Sequence, residues 1–311
     1  MAPLASITEL PERPGRAAKA KAMDFRAILM GLTFALIWSS AFTSARIIVA
    51  DASPLASLAL RFFLSGLIGV AIARMLGQSW KLTRDQWRAT IIFGICQNAI
   101  YLGLNFYAMQ TVEASLASII ASMMPLMVAF AGWVVFRDRL PALGIIGLFL
   151  GIGGVALIMS ARLEAGVDTY GVALCIIAAI ALTVATLSMR TMSAGGNLMM
   201  VVGLQMFVGA GVLAVASAVT ETIRMDVTPE LIVAFVYTTL APGLLATWIW
   251  FALVARIGAT KAATFHFLNP FFGVAIAAVL LGERLGVRDV IGVAIIAAGI
   301  LAVQLSRQRK T

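Results

Sequence analysis

The sequence predicts an all-α integral membrane protein whose ten transmembrane helices form two inverted five-helix repeats around a central cavity. Three observations carry this. The 311 residues are 61% hydrophobic and only 12% charged, with a mean hydropathy of +1.00. Soluble domains are about 45–50% apolar and about 25% charged, so these few charges cannot cover a water-facing surface. The apolar residues fall into ten runs of the roughly 20 residues that a spanning helix needs. The second half of the chain also repeats landmarks of the first at an offset of 145 residues.

The runs lie near 27–50, 56–76, 89–109, 112–135, 140–160, 169–189, 197–219, 230–253, 258–281 and 286–305. They are continuous, unlike the ten-residue alternating segments of a transmembrane β-barrel. The connections are short, so no extramembrane domain is expected to house separate chemistry. Residues 1–25 are polar and basic, with Pro3, Pro11 and Pro14. They read as a cytoplasmic tail rather than a signal peptide, which would open with an apolar run. The expected organisation is a tail over 1–25, five-helix repeats over 26–165 and 166–306, and a short cytoplasmic tail over 307–311.

The net charge of +9 would suggest nucleic acid in a soluble protein; here it is a topology signal, and no nucleic-acid partner is expected. With the N-terminus cytoplasmic, the inner segments hold Arg13, Arg16, Lys19, Lys21 and Arg26, then Arg74, Lys81, Arg84 and Arg88. Further along they hold Arg137, Arg139, Arg190, Arg256, Lys261, Arg307, Arg309 and Lys310. The outer segments hold only Arg46, Arg162, Arg224, Arg284 and Arg288. This asymmetry predicts a multi-pass protein with both termini cytoplasmic.

The repeat aligns Ala114 with Ala259, Ala117 with Ala262 and Pro125 with Pro270. Asp138-Arg139-Leu140 aligns with Glu283-Arg284-Leu285, Gly147 with Gly292, and Gly154 with Gly299. Five spans per copy is an odd number, so the second copy enters the membrane from the opposite side, as in many transporters. Gly147 and Gly151 form a GxxxG pattern that lets helices approach closely. The fifth and tenth spans therefore read as scaffold, or as the contact of a weak homodimer if the protein is not a monomer.

Polar residues at membrane depth are costly and face a cavity or a partner helix. Gln97, Tyr101 and Asn105 recur every four residues, with Asn98 beside them, which puts a polar stripe on the third span. Ser115, Ser118 and Ser122 recur on the fourth; they suit interhelical packing or a cavity wall, and Ser118 and Ser122 are kept as candidate contacts. His266, the one histidine of the chain, and Asn269 sit midway through the ninth span and suit either a bonded core or a site. Trp38 lies too deep for an interfacial belt, whereas Trp248 suits a belt or a site equally well. Aromatic walls with a few amides fit a partly apolar small-molecule substrate. Pro125, Pro270 and Pro242 each deny an amide to the carbonyl four residues back, at Ala121, His266 and Thr238. They are candidate hinges of a gate whose freed carbonyls face the substrate.

The acids Glu113, Asp138, Glu230, Glu283 and Asp289 all fall near helix ends, so the carboxylate common in proton-coupled cation carriers is absent from mid-span. Arg61 is the one mid-span cation, and it is expected to snorkel outward along its stem. The cavity should then lack a fixed ion and suit a neutral or zwitterionic solute. Cys96 and Cys175 lie in apolar runs without CxxC spacing and read as small hydrophobes. No metal site, cofactor, catalytic residue or ATP-binding GxxxxGK[ST] motif is expected, and an intramembrane enzyme would have little chemistry to work with.

Leu36-Ile37-Trp38-Ser39-Ser40-Ala41-Phe42, Leu60-Arg61-Phe62 and the two Pro-to-acid stretches ending at Asp138-Arg139-Leu140 and Gly282-Glu283-Arg284-Leu285 carry a resemblance. Over about residues 27–305 the chain resembles the drug/metabolite transporter superfamily in its EamA-type ten-helix branch, and within that branch the bacterial aromatic amino acid exporters. The resemblance implies a secondary transporter of a bacterial-type plasma (inner) membrane that exports aromatic and other large neutral amino acids by alternating access. The alternatives are export of another metabolite or drug, and a non-transporting membrane sensor or scaffold.

Overall fold

The computed structural model describes residues 25–188 and 197–308. Most of the N-terminal tail, Arg190 and residues 309–311 lie outside the described residues. Ten helices are long and apolar enough to cross a membrane. They are α1 (Phe25–Asp51), α2 (Pro54–Met75), α3 (Arg84–Ala108), α4 (Ala114–Val134) and α5 (Ala142–Glu164), then α6 (Thr169–Ser188), α7 (Leu198–Thr220), α8 (Pro229–Val254), α9 (Lys261–Leu281) and α10 (Val287–Ser306). Among the described residues the only extended pairing is an isolated bridge between Ala52 and Met225. Helices satisfy their own backbone, which is what hydrocarbon demands. Large apolar side chains such as Phe149 and Val279, 71% and 81% exposed, cover the perimeter where lipid would lie.

Small residues decide which helices touch. A Cβ built on Gly147 would stand 2.6 Å from the carbonyl oxygen of Gly299, and one on Gly154 would stand 2.8 Å from that of Gly292. The converse contacts, Gly299 on Gly147 and Gly292 on Gly154, are 2.6 and 2.9 Å. Gly147 aligns with Gly292 and Gly154 with Gly299, so each contact pairs positions equivalent to those of the other. The same approach joins α2 to α7, where Gly66 and Gly69 lie against Gly203. The small faces of α5 and α10 are thus spent on each other within one chain.

Four helices are irregular, at positions that correspond across the offset. A wide π turn runs over Gly94–Tyr101 in α3 and over Thr239–Leu245 in α8. In α8 it surrounds Pro242. A π turn pairs residues five apart, so the Thr238 carbonyl, which Pro242 cannot serve, falls opposite the amide of Gly243. In α4 the helix resets at Met123, with Pro125 in the first turn of the second piece. In α9 a 3₁₀ segment, Thr264–Leu268, precedes the piece that contains Pro270.

A polar layer closes the end of the bundle where α1 finishes. Glu221, just past α7, accepts from the amides of Leu55 and Ala56 at 2.9 and 3.1 Å. Glu283, just past α9, accepts from Ala114 and Ser115 at 2.8 and 3.0 Å. Each carboxylate therefore satisfies two orphan amides at the positive end of a helix it does not belong to. Arg162 joins Glu113 and Asp289, and the Arg46 guanidinium donates to the Met109 carbonyl. The Thr111 hydroxyl donates to Asp168 at 2.6 Å and holds that carboxyl below the usual range.

The packing separates two glycines of α5. Gly147→Leu should overpack the α10 contact and cost about 1–3 kcal/mol, read as a lower Tm of purified protein. Gly153, with nothing within 4 Å of an added Cβ, should accept leucine with no change.

Candidate functional site

A cavity of about 390 Å³ lies between the two sets of helices, within the roughly 300–1,000 Å³ of small-molecule sites. It extends from mid-bundle toward the end where α1 begins, reaching Thr186 at the close of α6 and Leu198 in the first turn of α7. The polar layer at the opposite end contributes nothing to its lining. A second void of about 50 Å³ lies beside it and shares Trp38, Phe42, Arg61, Gln97, Tyr101, Leu102 and Pro242 with it.

One wall is aromatic. The Phe34 ring lies 5.7 Å from Trp38, 4.9 Å from Trp250 and, edge-on, 5.4 Å from His266; Trp250 and His266 are 5.2 Å apart. These rings come from α1, α8 and the 3₁₀ segment of α9, whose turn presents His266 inward. The Asn269 amide nitrogen sits 3.0 Å from His266 Nδ1, and the Asn269 carbonyl accepts from Ser39 of α1 at 3.2 Å. The opposite wall is amide-rich. Gln97, Asn98 and Tyr101 project from the π turn of α3. Asn98 donates to the Gln205 carbonyl of α7 at 3.0 Å, and Asn105 donates to the Tyr101 carbonyl at 2.8 Å.

Of the residues singled out from the sequence, Trp38, Gln97, Asn98, Tyr101, Ser122, His266 and Asn269 line the main cavity, and Asn105 lines the smaller void. Two do not join them. Trp248 is 63% exposed and points away from the bundle; Trp250, two residues on and so on the opposite face of the same helix, lines the cavity. Ser118 is buried against α9, where a Cβ on Gly273 would stand 1.9 Å from its hydroxyl oxygen, so it packs α4 on α9. Pro125 and Pro242 line the cavity, whereas Pro270 is buried outside it. Of the carbonyls expected to stand free, that of His266 is served locally by the Asn269 amide, while the Met123 amide goes to Ile120 rather than to Ala121.

The largest correction concerns Arg61. It does not snorkel outward; it is 7% exposed and lines both voids. The reason is its phase on α2. Ser57, Leu58, Arg61, Phe62, Ser65, Gly66 and Gly69 are buried, while Leu60, Phe63, Leu64, Leu67 and Ile68 are exposed. The stripe of small and polar residues at four-residue spacing was the available signal. The cavity therefore holds a fixed cation, contrary to the sequence expectation. Wall residues that sequence reasoning missed include Phe34, Gln205 and Thr247; Trp250 weighs equally with Trp248 on the sequence but was not singled out.

Ten spanning helices around a solute-sized cavity define a multi-pass membrane transporter. The chain belongs to the EamA-like transporter family, whose model matches it twice, over residues 25–160 and 169–305. It is similar to the uncharacterized transporter YvbV of Bacillus subtilis, at 23% identity over 89% of this chain and 91% of that protein. It is also similar to the uncharacterized inner membrane transporter YedA of Escherichia coli K12, at 25% identity over 92% of this chain and 94% of that one. A crystal structure at 20% identity matches the fold with a TM-score of 0.67, covering 90% of this chain and 98% of that one.

The two tryptophans of α8 give a paired test. Trp250→Ala should weaken solute binding by about tenfold through loss of a buried aromatic contact, read as Kd on purified protein. Trp248→Ala should leave Kd unchanged.

Proposed function

We propose that the protein is a secondary transporter that exports aromatic and other large neutral amino acids across a bacterial inner membrane by alternating access. The observation that carries this reading is the wall of Phe34, Trp38, Trp250 and His266 facing the amides of Gln97 and Asn98 across one cavity. An apolar, partly aromatic side chain suits the first wall, and a polar backbone end suits the second. With both termini cytoplasmic, as the arginine and lysine asymmetry suggests, the cavity extends from mid-bundle toward the cytoplasm. The polar layer of Glu221, Glu283 and Arg162 then closes the outer side, and this is the state that would load a solute for export.

The reading treats residues 26–165 and 166–306 as an inverted pair. The reciprocal glycine contacts of α5 and α10, and irregular turns at matching positions, support that relation. Exchanging the conformations of the two halves would open the outer end and close the inner one. The resets at Pro125 and at the 3₁₀ turn before Pro270 are the natural hinges, since both interrupt the regular helix ladder beside the cavity.

Counterflow by purified protein in liposomes, loaded in turn with each of a panel of amino acids, tests the substrate. Phenylalanine, tyrosine, tryptophan and leucine should exchange, and small acidic or basic amino acids should not. Indifference to every large neutral amino acid would sink the substrate reading. Replacing Pro125 and Pro270 together with alanine should slow exchange at least tenfold while the protein still folds and binds solute; full exchange by that variant would remove the hinges.

A further inference from the structure

Arg61 is a cation deep in a helix bundle, and no carboxylate among the described residues neutralises it. Among the described residues its guanidinium makes no ion pair and no hydrogen bond, and its Nε is buried without a partner. Its one recorded contact is with the Phe62 ring, 5.2 Å from the guanidinium carbon. Among the described residues no aspartate or glutamate lines either void. Arginine offers five donors in a rigid plane and remains charged in proteins, and an isolated charge at membrane depth is expensive. A scaffold position on α2 would be served better by an apolar residue. The guanidinium reaches across to α8, where its Nη2 lies at van der Waals distance, 3.5 Å, from the position of a Cβ on Gly243 inside the π turn.

We propose that Arg61 is the anchor for a carboxylate, so that the solute this cavity takes is an organic acid with an apolar or aromatic body. The proposal deepens the reading of the cavity as a solute site and rests on it. A carboxylate supplies what Arg61 lacks, a charge and two acceptors that match its fork. Its placement suits the role, because Arg61 borders both the main cavity and the smaller void and lies on the α2 side of the space that the aromatic wall bounds. A simple carboxylic acid and an α-amino acid both carry a carboxylate, so that group is the part of the solute that Arg61 requires.

Three probes that share a phenyl ring separate the groups: 3-phenylpropionate carries only the carboxylate, 2-phenylethylamine only the ammonium, and L-phenylalanine both. Titration calorimetry on the purified full-length protein in lipid nanodiscs should show 3-phenylpropionate binding at least tenfold more tightly than 2-phenylethylamine. Arg61→Gln should weaken 3-phenylpropionate and L-phenylalanine at least tenfold, and Arg61→Lys should recover part of the loss, since it keeps the charge but not the fork. Smaller effects overturn the proposal, as does failure of 3-phenylpropionate to bind. If L-phenylalanine fails while 3-phenylpropionate binds in an Arg61-dependent way, the amino acid reading falls and the anchor stands. If L-phenylalanine binds Arg61→Gln unchanged, the anchor falls and the amino acid reading stands. Should Arg61→Gln not fold, the comparison of the three probes on the unaltered protein decides.

Discussion

A backbone amide in hydrocarbon has no water to bond, so each donor and acceptor must find a partner inside the protein. That constraint organises this molecule. It makes the ten spans helical, and it confines departures from the α-helix to places where another partner is at hand. The π turns of α3 and α8, the reset of α4 and the 3₁₀ turn of α9 all border the central cavity. Helix ends face the same demand. Glu221 and Glu283 meet it from a different helix, tying the start of α2 to the end of α7 and the start of α4 to the end of α9. A bond that satisfies a helix end therefore also ties two helices together at one end of the bundle.

The cavity departs from the rest of the interior in two respects. Serines on α1 are stitched to neighbouring helices, Ser40 to Tyr237 at 2.6 Å and Ser44 to Thr238 at 2.7 Å, so much of the buried polarity is structural. Arg61 is different: among the described residues it has no ion pair, its Nε is buried without a partner, and it borders a cavity of solute size walled by Phe34, Trp38 and Trp250. Buried polar groups are ordinarily bonded, so this charge is the part of the interior that packing alone does not explain.

The bundle was largely legible in the sequence. Span count, helix limits to within a few residues and the close faces of α5 and α10 all follow from hydropathy and from glycine spacing, which are local properties. The site was legible in part. The stripe of Gln97, Tyr101 and Asn105 reached the cavity because three amphipathic residues at one spacing have little other place to go. Ser118 did not, because a hydroxyl is small enough to be absorbed in a helix contact. Trp248 and Trp250 lie two residues apart in one regular helix and so face opposite sides; which of the two meets the cavity depends on how that helix packs, and the sequence left both open.

By itself, then, the sequence determined an α-helical membrane protein of ten spans, with a repeated half and a set of deep amides and aromatics, since these depend on length, hydropathy and periodicity. The tertiary structure decided which face of each helix meets which neighbour. Arg61 shows the difference. Composition placed a cation within a span and favoured an outward snorkel, but the packing of α2 on α7 through Gly66, Gly69 and Gly203 turned that face inward. The rotation of one helix about its axis is set by contacts distant in sequence, and here it places a fixed positive charge in the cavity.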